Sequence, residues 1–163
     1  MKIKNFFLHY GGTISHKWLV MMFLLRFCRK LLWRAIVHDF SKMRWSEAKH
    51  FIRVIHKLKT STYGSDEYKE LLVSIQPALI LHYQRNDHHP ENHHSMGLMS
   101  FYGMDMISLT EMLADWYAAT MRHADGDIFK SIRGNQDRFN YPDEIREIFS
   151  NSIKNGDFTW KRR

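Results

Sequence analysis

Between residues 35 and 45 the chain reads AIVHDFSKMRW, setting His38 and Asp39 side by side where an apolar run ends. Imidazole nitrogen with carboxylate oxygen suits Mn, Fe, Co, Ni and Zn and, through oxygen, Mg. A neighbouring His and Asp can both reach one ion where a helix ends or bends, and the carboxylate keeps a second oxygen for another. Taken alone, the pair also fits a helix C-terminal histidine beside a capping aspartate. Further donors must come from elsewhere, and the composition offers them: of eleven histidines, five fall between 82 and 94. His82 follows the apolar run ALIL, where it fits either a ligand or a satisfied core histidine, and His88 and His89 follow Asn86-Asp87. His93 and His94 read as loop-lining or solvent-facing.

Those donors need elements to carry them, and almost every periodic stretch reads as helix. Residues 14–29 are apolar on most sides, the pattern of a buried helix, and a short segment at about 31–38 leads into His38. Because His16 and His38 lie 22 positions apart, one straight helix would separate them by about 33 Å. A turn is therefore expected near Arg29–Leu32, although no Gly or Pro marks it. Residues 45–59 place Phe51, Ile52, Ile55 and Leu58 at helical spacing. A Ser/Asp cap opens a helix at 66–75, and Pro77 suits the first turn of the next. Residues 86–104 carry no period and read as a long loop, a length associated with function. A strong helix is expected at about 105–124, with Met106, Leu109, Leu113, Trp116 and Met121 as core candidates. Shorter helices at 127–138 and 142–154 follow, with Pro142 at a helix start and Gly156 at a stop. No convincing strand is read, so the fold class is all-α.

At 163 residues the chain fits a single domain, 1–163, able to bury a core without staples. Hydrophobic residues at 44% argue against disorder. The formal charge of +7 favours an anionic partner such as a nucleotide, a phosphodiester or a nucleic acid. Lys and Arg are spread along the chain apart from the terminal KRR at 161–163. Cys28 is the lone cysteine, which rules out an intrachain disulfide and a cysteine-based zinc site. The longest apolar run, WLVMMFLL at 18–25, falls short of the roughly 20 residues a membrane span needs. With no signal-peptide pattern at the N-terminus, the expectation is a cytoplasmic protein without a membrane partner.

VHDFSK at 37–42 resembles the signature of the HD superfamily of metal-dependent phosphohydrolases, an HD-domain-like helical bundle with a metal site in its core. The resemblance covers residues 14–122, with 125–163 as C-terminal helices. It implies an upstream ligand at His16 in SHKWLV and a downstream ligand at Asp115 in EMLADWYAAT. A narrower likeness is to a phage and bacterial branch, whose elements match His16-Lys17-Trp18, His38-Asp39, His82 with Asn86-Asp87-His88-His89, and Glu111-Met112 with Asp115-Trp116. LHYQRNDHHP at 81–90 also resembles the second histidine cluster of members that cleave cyclic dinucleotides, but their Gly-Tyr-Pro element is missing. Ser41 stands where many superfamily members have Gly.

The resemblance implies hydrolysis of a small phosphorylated substrate, first a nucleotide, with one or two divalent ions per chain held by His16, His38, Asp39, His82, His88 or His89, and Asp115. Lys42 and Arg122 are candidates to hold phosphate charge, with Arg122 at i+7 from Asp115 on the same helical face. Glu111 is a candidate proton handler or a support for a ligand histidine. The rivals are a di-iron oxygenase on the same ligands and a non-catalytic nucleotide- or nucleic-acid-binding protein. Nucleic acid is less favoured, since 163 residues leave little room for a separate binding module. A homo-oligomer is compatible with all three.

Overall fold

A computed structural model of the chain describes residues 2–62, 64–95, 98–99, 101–122 and 126–158. The terminal KRR and His123 lie outside them. The chain divides into two units, Met1–His38 and Asp39–Arg163.

The first unit is one helix, α1 (Lys2–Val37), of 36 residues. The expected turn near Arg29–Leu32 is absent: the helix runs straight through it. Arg29, Lys30, Leu31 and Leu32 are all good helix formers, and no residue there removes a backbone donor. The burial expected for 14–29 is not found either, since Trp18 is 60% and Phe23 67% exposed. An all-round apolar pattern announces that a helix wants covering; it does not say what covers it.

In the second unit, α2 (Trp45–Thr60), α3 (Asp66–Ser74) and α4 (Gln76–Arg85) pack together. Ser65 caps α3 by accepting from the Tyr68 amide at 3.1 Å, and Pro77 sits in the first turn of α4, as read from the sequence. The inner face of α2 carries Glu47, Phe51, Val54 and Leu58, whereas Ile52 and Ile55 are exposed. The core register is thus offset from the one expected, and it admits a carboxylate.

The other half is built on α5 (Met106–Thr120), α6 (Ile128–Phe139) and α7 (Asp143–Lys154). Met112, Leu113, Trp116, Ile132, Phe139 and Phe149 lead its buried core. Met106 is exposed at the start of α5, and Leu109 is only partly buried. Pro142 occupies the N-cap of α7 and not its first helical position, while Gly156 at φ 87° ends it as expected. The loop expected at 86–104 contains two 3₁₀ turns, Pro90–Asn92 and Phe101–Gly103, and a two-residue antiparallel ladder that pairs His94–Ser95 with Leu98–Met99. That ladder corrects the reading of no strand but leaves the fold helical. Arg138 of α6 pairs with Glu91 at 2.5 Å, tying the loop to the helices behind it.

Candidate metal centre

α1 ends at Val37, so His38 and Asp39 do fall at a helix exit. Asp39 adopts the left-handed conformation (φ 56°, ψ 14°), which Asp tolerates better than most residues, and opens a 3₁₀ turn at Phe40–Met43. Its Oδ1 lies 3.1 Å from Nε2 of His82 and 3.6 Å from Nε2 of His88. Nε2 of His89 is 2.9 Å from Nε2 of His82. One ligand atom from each of Asp39, His82, His88 and His89 falls within 4.8 Å of all the others.

Local structure explains the convergence. His82 shares the buried face of α4 with Ala78, below the buried cap residue Ile75, and is 1% exposed. The amide of His89 donates to the Asn86 carbonyl at 3.2 Å, a turn that presents His88 and His89 just before buried Pro90. The rings then crowd, with centroids 4.2 Å apart for His88 and His89 and 4.8 Å for His82 and His89.

Behind two of the histidines stands a buried carboxylate. Nδ1 of His82 faces Glu47 Oε2 at 3.2 Å, and Nδ1 of His88 faces Glu111 Oε1 at 3.2 Å. Nε2 of each ring faces Asp39 Oδ1 as well, so each imidazole stands between two carboxylates; with a cation on the Nε2 side, the Nδ1 proton would face Glu47 or Glu111. Glu47 is fully buried; it accepts from Arg85 Nη1 at 2.6 Å and from the Ser41 hydroxyl at 2.9 Å. Asn86 donates to Ser41 Oγ at 2.9 Å and to the His82 carbonyl at 2.6 Å. The sequence reading did not single out Glu47 or Arg85. The signal was there: Glu47 occupies the same helical face as Phe51, Val54 and Leu58, where a carboxylate needs partners.

Burial, followed by the neighbouring His88 and His82 rings, lowers His89 from the ordinary 6.5 to about 2. Its imidazole is neutral near pH 7, the form that ligates. The sign for stability follows. The unfolded chain takes up a proton near 6.5 that the folded metal-free chain refuses until about 2, so stability is present above 6.5 and lost as pH falls below it. The slope from this group is on the order of 1 kcal/mol per pH unit. Urea melts at about pH 7 and about pH 5 should show this loss, reduced in a His89→Gln variant; equal losses in both proteins would assign it elsewhere.

The remaining expected residues divide. A carboxylate oxygen of Asp115 lies within 4.8 Å of a ring nitrogen of His88, which joins α5 to the cluster. Lys42 holds Oδ2 of Asp39 and lies over the Phe51 ring at 5.7 Å. His38 closes the first unit, covalently joined to Asp39. His16 sits within unbroken α1, about 33 Å of helix from His38, so the structure does not bring those two together. Arg122 lies past the end of α5 at Thr120 and is exposed, so the expected i+7 register with Asp115 on one helix does not form. His93 Nε2 donates to the Asp87 carbonyl at 2.7 Å, outside the cluster.

Fold and cluster together define an all-helical protein with a partly buried His/Asp group of a composition that could hold a divalent cation. The chain belongs to the Family of unknown function (DUF5662), which matches residues 5–156. No curated protein and no solved structure matches it.

Proposed function

We propose that this protein is an HD-type, divalent-metal-dependent phosphohydrolase acting on a nucleotide or another small phosphate ester or phosphodiester. The observation that carries the reading is the convergence of Asp39, His82, His88 and His89 within 4.8 Å. The donor set fits the cation: three imidazoles and a carboxylate, with Glu47 and Glu111 beside Nδ1 of two of them. The HDxSK-like signature supports the same assignment.

A bound divalent ion supplies a water of lowered pKa and positive charge for phosphoryl oxygens. Asp39 Oδ1 and the Nε2 atoms of His82, His88 and His89 would hold it, with Asp115 as a further donor. Lys42 occupies the second oxygen of Asp39, which supports one ion per chain at this cluster and keeps an ammonium beside it for a phosphate oxygen. Glu111 lies 3.2 Å from Nδ1 of His88, where it would support that ligand. Arg122 has no part in this reading.

Elemental analysis of the purified protein, followed by a manganese-supplemented screen of nucleotides and phosphodiesters, tests it. The expected result is bound metal and phosphate release that chelation abolishes and manganese restores. Redox-active iron without phosphate release would transfer the site to oxygen chemistry. Tight nucleotide binding without turnover would make it a binding protein.

A further inference from the structure

The net charge of +7 has one source. Residues 1–38 hold seven of the 24 Lys and Arg residues and none of the 17 Asp and Glu, so residues 39–163 balance at 17 of each. The cations are spread along the chain; it is the acids that are missing from α1. The same helix exposes large apolar side chains along its length, among them Phe7, Ile14, Trp18, Phe23, Leu24 and Trp33. Arg26, Arg29 and Lys30 recur at i, i+3 and i+4 and share one face. Val20, Met21, Leu24, Leu25 and Cys28 line a shallow apolar groove on the other, with Lys17 at its edge. No helix among the described residues is long and apolar enough to cross a membrane.

We infer that α1 docks on an anionic phospholipid surface, lying along it. The length argument in the sequence excludes a span, not a helix in the plane of the interface. Charge complementarity selects this occupant. A second copy offers a body of zero net charge, and pairing two α1 helices would set cation against cation. Nucleic acid would satisfy the cations but leave the Trp, Phe and Leu side chains without a use. A lipid interface takes both: the apolar groove faces the acyl boundary, and the long Lys and Arg stems reach out to the phosphates.

Full-length protein is sedimented with vesicles of phosphatidylcholine plus phosphatidylserine and with phosphatidylcholine alone. Binding to the first and not the second is expected, with a blue shift in emission that a Trp18→Phe, Trp33→Phe variant loses. Each Lys or Arg near such a surface contributes roughly fivefold, so Arg26→Gln, Arg29→Gln and Lys30→Gln together should weaken binding roughly a hundredfold. Unchanged helical circular dichroism and urea melting keep that variant interpretable, and Leu24→Gln, which keeps the charge, should weaken binding as well. Equal binding to neutral vesicles, binding to neither, or indifference to the triple substitution overturns the proposal. So does a preference for duplex DNA over vesicles, or a doubled mass in light scattering together with no vesicle binding.

Discussion

Asp39→Asn protein should hold manganese at least about a hundredfold more weakly than the parent chain, because losing an outer support alone costs 10–100-fold and this residue is a ligand. One oxygen of Asp39 faces Nε2 of both His82 and His88, at 3.1 and 3.6 Å, and Asp39 is the one carboxylate of the four converging side chains. Asparagine keeps the shape and removes the one negative charge that would hold a cation among the three imidazoles. Lys42 loses its partner in the variant, at little cost, because its side chain is 39% exposed. Competition with a chromophoric chelator reads the affinity, and a thermal melt confirms that the fold survives. Any phosphate release found in the screen should fall by about a thousandfold or more, as expected when a charge at the reacting centre is removed. Parent-like metal affinity in Asp39→Asn would show that the convergence of these four side chains holds no ion.

Glu47 separates support of the fold from support of the site. Glu47→Ala leaves Arg85 and the Nδ1 of His82 without a carboxylate inside the α2–α4 contact. Removing one member of a buried ion pair costs about 3–5 kcal/mol, which lowers the melting temperature on the order of 10 °C for a chain of this size. Glu47→Gln keeps volume and one acceptor, but its amide can turn a donor toward Nδ1 and favour the wrong tautomer of His82. That variant should melt close to the parent and bind manganese about 10–100-fold more weakly. An Ala variant that melts with the parent, or a Gln variant with unchanged affinity, would remove Glu47 from this role.

Much of the candidate cluster was legible because its residues are rare types in dense local patterns. Histidines at 82, 88 and 89 fall within eight residues, and an α-helix followed by one turn suffices to bring them together. Asp115 could be read as a carboxylate in an otherwise apolar helix, which demands a partner. Glu47 escaped notice for a different reason. It belongs to a helix whose apolar face could be drawn through Ile52 and Ile55 or through Phe51, Val54 and Leu58, and only the second register turns it inward. The boundaries that failed follow the same logic: nothing in Arg29–Leu32 opposes a helix, and an extension of α5 to 124 had no residue to stop it before the turn at Met121–Arg122.

By itself the sequence determined the helical class, the position of most helices and the local His and Asp pattern, since periodicity, capping residues and residue types act over a few residues. It determined the charge imbalance of the first 38 residues as well. Tertiary structure decided which donors meet. Asp39, His82 and Glu111 are separated by long stretches of chain, and their approach depends on how α2, α4 and α5 pack, a matter of side-chain shape that no local pattern encodes. The same packing turned Glu47 inward and Ile52 outward, and set a carboxylate 3.2 Å from Nδ1 of each of His82 and His88.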